Sequence, residues 1–264
     1  MNKSVIIKAA VLLVIAAIAV PIAVCFFYPD VAGLKKQNPQ KTSFMEYREE
    51  QWKEQHKKIT IRQQWVPISR ISDYMTKAVI IAEDDKFWQH RGFDFQAMEK
   101  SLEKDIKEKK FKFGGSTISQ QLAKNLFLSP SKNPLRKIRE AILTWRLEQN
   151  LSKRRILELY LNVAEWGEGI FGVEAASHHY FGKPAADLTA MEAARLATVL
   201  PNPRRYNAVG NSDYITARSR FIYEIMIKRG IVVEEYEDIM KSPSSDDEGG
   251  QRGAQDQPLP EDQK

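Results

Sequence analysis

Most of the chain between residues 65 and 241 repeats its apolar positions at helical spacing rather than at strand spacing. Apolar residues recur three and four positions apart with charged residues between them, which is typical of amphipathic helices. No stretch alternates convincingly at period two, and no internal repeat is present. We therefore predict an all-α, or mainly α, protein whose helices lie in ISDYMTKAVIIAE, FQAMEKSLEKDIKEKK, GGSTISQQLAKNLF, NPLRKIREAILTWRLEQN, SKRRILELYLNVAEW, GVEAASHHYFGK, DLTAMEAARLATVL and residues 213–240.

Several of these helices begin with residues that favour helix N-termini. Ser72 or Asp73 is predicted to cap the helix in ISDYMTKAVIIAE, and Ser152 is predicted to cap the helix in SKRRILELYLNVAEW. Thr117–Gln120 and Thr189–Glu192 have the spacing of a capping box, in which two side chains satisfy each other's backbone N–H groups. These signals set the predicted helix starts.

The two ends of the chain differ from its middle. Residues 9–28 contain no charge and follow Lys3 and Lys8, which predicts a transmembrane anchor with a cytoplasmic N-terminus over residues 1–8. A cleaved signal peptide ending near Ala17–Ala19 is the alternative. We predict a polar stalk over residues 29–64, a catalytic domain over 65–241, and a disordered acidic tail over 242–264.

Charge and cysteine content narrow the function classes. The net charge is +6, and the tail holds six acidic and two basic residues, so the remainder of the chain is strongly basic. A basic body indicates an anionic partner. Nucleic acid is a disfavoured partner for a domain on the outer side of a membrane, so a membrane surface or a phosphate-bearing substrate is expected. The single cysteine, Cys25, lies in the apolar segment, so the domain has no disulfide and no cysteine-based metal site.

The segment EDDKFWQHRG places three carboxylates directly after the apolar run AVIIA. A carboxylate held against apolar surface has its pKa raised by desolvation, which suits proton transfer near neutral pH. The alternative is a helix end with solvated acids. His90 is predicted to be a hydrogen-bonded structural residue, since no second histidine stands at ligand spacing.

Two further segments are candidate anion sites. In GGSTISQQLAKN, two glycines precede a helix start, which exposes backbone N–H groups to an anion. Ser116, Gln120 and Lys124 fall at intervals of four, which predicts that they line one face of that helix. In SKNPLRKIRE, four basic residues crowd next to Glu140. The alternatives are an ordinary capped helix and a solvated charged face. Neither SxxK pattern, SLEK or SPSK, is followed by the strand motif of a penicillin-binding acyl-transfer site.

The strings EDDKFWQHRG, GGSTISQQLAKN, RKIREA, RRILELYLNVAEWG, GVEAASHHYFGK and LTAMEAARLATVLPNPRRYN resemble, in order and spacing, the family 51 glycosyltransferases. These are the peptidoglycan glycosyltransferases, and the resemblance covers about residues 66–210. The chain length and the lack of a transpeptidase module are similar to members that carry only the glycosyltransferase. The resemblance implies a lysozyme-like α-helical domain with a smaller membrane-associated lobe.

The resemblance also implies roles for individual residues. Glu83 corresponds to the family's catalytic glutamate and Glu140 to its second essential glutamate. Asp84 and Asp85 are then predicted to have supporting roles, Asp84 as a local hydrogen-bond acceptor and Asp85 as a solvated neighbour. The implied substrate-binding residues are Ser116, Gln120, Lys124, Lys132 and Arg139. Lys132 stands where relatives commonly have arginine, and lysine keeps the charge but loses the bidentate fork.

The implied reaction joins lipid II units into a glycan strand. Glu83 would accept the proton of the attacking 4-hydroxyl, while Lys124, Lys132 and Arg139 would stabilise the departing diphosphate. No cofactor is obligatory, and a divalent cation, Mg²⁺ or Mn²⁺, is an option at the diphosphate. Implied partners are lipid II, the nascent glycan strand, membrane lipid, and cell-wall synthesis or division proteins. Expected lipid contacts are Phe111, Phe113, Phe127 and Leu128.

Two other function classes stay open from the sequence. A lysozyme-like hydrolase would also use a glutamate on a helical fold, but would need neither an anchor nor a diphosphate pocket. A non-catalytic membrane scaffold that binds cell-wall polymer would need neither glutamate. Labelled lipid II distinguishes all three, because it would yield polymer, fragments or no product.

Overall fold

The computed structural model describes residues 3–108, 115–130 and 135–232, and this part of the chain is mainly helical, as predicted. Its α-helices are α1 (Lys3–Phe27), α2 (Ser43–Glu54), α3 (Asp73–Glu83), α4 (Phe95–Glu108), α5 (Ile118–Phe127), α6 (Leu135–Asn150), α7 (Lys153–Val163), α8 (Val173–Phe181), α9 (Ala190–Val199) and α10 (Asp213–Lys228). Short 3-10 helices cover Ala32–Lys35, Ile68–Arg70 and Ala185–Asp187. The strands are β1 (Arg62–Gln63), β2 (Glu165–Gly167) and β3 (Ile170–Phe171).

The predicted capping boxes are both present. In each, the threonine hydroxyl accepts the backbone N–H of the third helical residue, whose side chain accepts the threonine N–H in return; the pairs are Thr117–Gln120 and Thr189–Glu192. Ser152 also caps its helix as predicted. Ser72 holds the N-cap position of α3 but donates its hydroxyl to the carbonyl of Leu188 instead, which ties α3 to the segment before α9.

The core forms around two groups of packed helices. Helix α9 packs against α3 and α10, and α5 packs against α6 and α7. Four of the buried residues of α9 are alanines, whose small side chains let the neighbouring helices approach closely, namely Ala190, Ala193, Ala194 and Ala197. Larger side chains such as Leu122 and Ile156 are fully buried elsewhere, and each such burial contributes about 1.5–3 kcal/mol. The apolar faces predicted for α3, α5, α7 and α9 therefore point inward, whereas Phe95 and Met98 on the predicted apolar face of α4 are exposed.

A small three-stranded sheet, in the order β1–β3–β2, was not predicted. Strand β1 pairs parallel to β3, and β2 pairs antiparallel to β3 with an irregular register. The predicted helix over SKRRILELYLNVAEW ends at Val163, because Glu165 and Trp166 enter β2. Strands of two or three residues are too short to reveal a period of two.

The segment predicted as a stalk, 29–64, differs from that prediction because much of it is packed onto the domain. Met45 and Trp52 of α2 are buried against Phe171 of β3. Arg48 also donates two hydrogen bonds to the buried Glu165, at 3.0 and 2.7 Å. The polar appearance of the segment arose because only one face of α2 is apolar.

The structure leaves several predictions about the termini and loops open, and it contradicts one. No helix in the described part of the chain combines the length and apolar character that crossing a membrane requires, so the anchor over 9–28 stays a prediction. The acidic tail, Lys132, Phe111 and Phe113 lie outside the described residues. The expectation that Leu128 contacts lipid is wrong, because its side chain is buried in the core.

Candidate active site

Glu83 is the last residue of α3, where the buried run Ala78–Ile80 fixes the helix in the core. Glu83 as a whole residue is partly exposed, but the protein around its carboxyl group removes enough water for burial to raise its pKa. Gln121 donates to Glu83 Oε2 at 2.7 Å and counteracts part of this rise, as do the positive charges of Arg218 and Lys124. The helix thus delivers a carboxylate suited to accepting a proton.

Asp84 is a structural acceptor, as the sequence suggested. Its Oδ2 accepts the Ile118 N–H at 2.9 Å, and its Oδ1 lies 2.8 Å from Nε2 of His90. His90 Nδ1 accepts the Gly92 N–H at 3.1 Å, so the neutral ring carries its proton on Nε2 and donates it to Asp84. These bonds connect the end of α3 to the start of α5.

Asp85 and His90 have the supporting roles expected of them. Asp85 is exposed and forms a bidentate pair with Arg229 at 2.6 and 2.9 Å, which lowers the pKa of its carboxyl. Both ring nitrogens of His90 are engaged, and among the described residues no group of three or more histidine, cysteine or acidic side chains could hold a metal.

Gln121 is the site residue that sequence reasoning missed. Besides its bond to Glu83, it accepts the Tyr160 O–H at 3.0 Å through Oε1. The neighbouring Gln120, which was predicted to bind substrate, is buried, and its side-chain oxygen accepts the Thr117 N–H. The capping box was the available signal: it commits Gln120 and turns Gln121 about 100° away around the helix.

The three residues predicted to share one helix face do not do so. Ser116 lies two residues before α5 begins, and it lines the same cavity as Glu83. Lys124 lies in α5, and burial lowers its pKa, while the negative charge of Glu140 is the largest opposing influence. The charge of Glu83 acts on Lys124 in the same direction, so Lys124 is electrostatically coupled to both glutamates.

Glu140 is buried on α6 and surrounded by basic side chains. Arg136 donates to its Oε2 at 3.1 Å, and Lys137 donates to its Oε1. Arg139 lies on the exposed surface of the same helix. Because the charges of Glu140 and Glu83 both act on Lys124, the structure brings these three residues together.

Two cavities flank this cluster. The smaller cavity, about 290 Å³, is lined by Glu83, Ser116 and residues of α4. The larger cavity, about 610 Å³, is lined by Gln121, Lys124 and Tyr160, and extends to Arg48 and Glu165. Glu83 lines the smaller cavity and Gln121 lines the larger one, so the hydrogen bond between these two residues connects the walls of the two cavities. A proton acceptor near a partly buried cation suits a reaction in which a hydroxyl attacks and an anion departs.

Comparison with known proteins agrees with this geometry. Residues 50–227 match the family model described as Transglycosylase. Three similar relatives are each named "Biosynthetic peptidoglycan transglycosylase". The Nitrosospira multiformis protein is 47% identical over 74% of this chain and 84% of its own. The Azoarcus sp. protein is 51% identical over 69% and 78%, and that of Aromatoleum aromaticum is 56% identical over 64% and 74%. The family-level prediction is confirmed, and the chain belongs to the transglycosylase family.

Proposed function

We propose that this chain is a peptidoglycan glycosyltransferase that polymerises lipid II by β-1,4 transfer and releases undecaprenyl diphosphate. The observation that carries the proposal is the cluster in which Gln121 donates a hydrogen bond to Glu83 and the charge of Lys124 interacts with both Glu83 and Glu140. Membership of the transglycosylase family and the names of the relatives support the same reaction.

In this proposal Glu83 is the general base. It removes the proton of the attacking 4-hydroxyl, an effect typically worth about 10²–10⁴ in rate. The leaving diphosphate needs its charge stabilised more than it needs a proton, and Lys124, Lys132 and Arg139 supply positive charge. An α-linked donor that becomes a β-linked product is inverted in one displacement, so no covalent intermediate is required.

Glu140 has a different role because its carboxylate is already engaged by Arg136 and Lys137. We assign it to holding those cations in place around the diphosphate. Ser116 and Gln120 are kept as proposed donor-site residues, with Gln120 acting through the helix start that it caps. A divalent cation, Mg²⁺ or Mn²⁺, enters only as a counter-ion of the diphosphate, and no step above depends on it.

The membrane topology is part of the same proposal. The twenty uncharged residues 9–28 would anchor the chain in the inner membrane, with the domain on the periplasmic side. The smaller lobe would contact lipid through exposed apolar side chains around α4, where Phe95 is 73% and Trp88 is 52% exposed. In this position the domain would meet a lipid-linked substrate at the membrane surface. Its proposed partners on the periplasmic side are the nascent glycan strand and other cell-wall synthesis or division proteins.

The test is incubation of the purified full chain with labelled lipid II. Polymer supports the proposal, whereas fragments from a finished glycan would indicate a hydrolase and no product would indicate a scaffold. Glu140→Gln is the informative variant: we expect lower turnover and weaker binding of a donor-site inhibitor, because the cations around the diphosphate lose their partner. If Glu140→Gln is inactive but binds the inhibitor normally, while Glu83→Gln stays active, the two roles are reversed.

A further inference from the structure

A buried tyrosine ends the hydrogen-bond chain that reaches Glu83. Tyr160 of α7 is 1% exposed, and its hydroxyl donates to Oε1 of Gln121 at 3.0 Å. Gln121 in turn donates through Nε2 to Oε2 of Glu83 at 2.7 Å. Burial raises the pKa of Tyr160 well above its ordinary value, so its proton stays available for donation throughout the working pH range.

The direction of this chain matters because an amide has one donating end and one accepting end. If Gln121 turned over, its oxygen would face the carboxylate oxygen of Glu83, and two acceptors would meet in a poorly hydrated site. A phenol that donates to Oε1 holds the amide in the orientation that presents N–H to the carboxylate. We propose that Tyr160 is a positioning residue, which acts through Gln121 to keep Glu83 ionised and correctly oriented for proton transfer.

Gln121 is an uncharged hydrogen-bond donor to Glu83, and the other groups that act on Glu83 are mostly charged. Arg218 on α10 and Lys124 on α5 are cations that favour the ionised carboxylate, whereas burial and the acid Asp84 at the end of α3 oppose it. A second tyrosine, Tyr214 on α10, also interacts with the charge of Glu83. The charged groups are fixed by the fold. Loss of the Tyr160 hydroxyl therefore changes the orientation of Gln121 without removing any of these charges.

The test rests on the proposed function and uses Tyr160→Phe in the full chain. We expect the acidic limb of the pH profile of kcat/KM for lipid II polymerisation to move up by about 0.5–1 pH unit, because a less firmly held amide favours the carboxylate less. Tyr180→Phe is the matched control, since this tyrosine also donates its hydroxyl inside the protein, to the Trp166 carbonyl at 3.0 Å. The control should leave the limb in place.

A second readout does not depend on activity. Carbon-13 titration of the Glu83 carboxyl should move in the same direction in Tyr160→Phe, so a failure of the proposed function would still leave the positioning role testable. In a Gln121→Ala background, Tyr160→Phe should add no further movement, because its route to Glu83 has been removed. A Tyr160→Phe protein that is slower at every pH with an unmoved limb and an unmoved carboxyl titration overturns the proposal, as does an equal movement in Tyr180→Phe.

Discussion

Two adjacent acids, Asp84 and Asp85, should respond very differently to the same substitution. Asp84 has a side chain that is 2% exposed and accepts from both the Ile118 N–H and His90. Hydrogen bonds to a charged group are worth about 1.5–3 kcal/mol each, and partial relaxation reduces their sum, so Asp84→Ala should cost about 2–4 kcal/mol. Asp85 is 52% exposed in its pair with Arg229, so Asp85→Ala should cost no more than about 0.5 kcal/mol.

Asparagine at position 84 adds a sharper test of the same network. An amide can still accept the Ile118 N–H, but its NH₂ group would then face the protonated Nε2 of His90. The histidine cannot move its proton to Nδ1 without losing the acceptor of the Gly92 N–H. We therefore expect Asp84→Asn to fall between the wild type and Asp84→Ala, at about 1–2 kcal/mol.

The measurement is thermal and urea unfolding of the full chain in detergent micelles, for the wild type and all three variants. For a domain of this size, 1 kcal/mol moves Tm by about 2–4 °C, so Asp84→Ala should unfold about 5–15 °C earlier. The slope of the urea transition should stay unchanged, since the folded domain buries the same surface. If Asp84→Ala is no less stable than Asp85→Ala, the tie between α3 and α5 contributes nothing and the reasoning fails.

Three further predictions concern Glu83, Lys124 and the pair of Arg48 with Glu165, which lines the larger cavity. Glu83→Gln should lower kcat by about 10²-fold or more, while binding of the donor is kept. Because burial raises the pKa of Glu83, the folded wild type loses stability as pH rises through that pKa. The variant should therefore have a higher Tm than the wild type at pH 8 and the same Tm near pH 4. Lys124→Met should lower polymerisation by about 10²–10³-fold with helical content unchanged in circular dichroism, whereas the exposed Lys53→Met should not. Arg48→Ala should cost about 3 kcal/mol in urea unfolding, because Glu165 is left buried without its partner.

Each of these has an outcome that contradicts it. Near-normal turnover by Glu83→Gln would show that Glu83 is not the general base. A higher Tm of this variant that persists at pH 4 would show that the gain does not arise from the ionisation of Glu83. Near-normal polymerisation by Lys124→Met removes that residue from the diphosphate site. An Arg48→Ala protein as stable as the wild type would mean that α2 is not held to the domain by this pair.

The helices were predictable because each depends on residues close together in the sequence. Apolar spacing and the capping pair Thr189–Glu192 lie within one or two helical turns, so α9 could be located from a short window. The packing of α2 could not, since its partners Glu165 and Phe171 follow it by more than a hundred residues. The same holds for the sheet, where β1 pairs with β3 across a similar separation.

The site was predictable in its residue types but not in their pairing or protonation. Glu83 and Lys124 could be singled out from the sequence, yet nothing in the sequence distinguishes Gln120 from Gln121 until the helix start is built and one of them is used to cap it. Burial then acts in opposite directions on the two charged groups, raising the pKa of Glu83 and lowering that of Lys124, and each partly restores the charge of the other. Other neighbours act more strongly still, since Gln121 and Arg218 precede Lys124 in their effect on Glu83, and Glu140 precedes Glu83 in its effect on Lys124. The protonation of the two groups is therefore set by the whole cluster around them, which a linear sequence does not display.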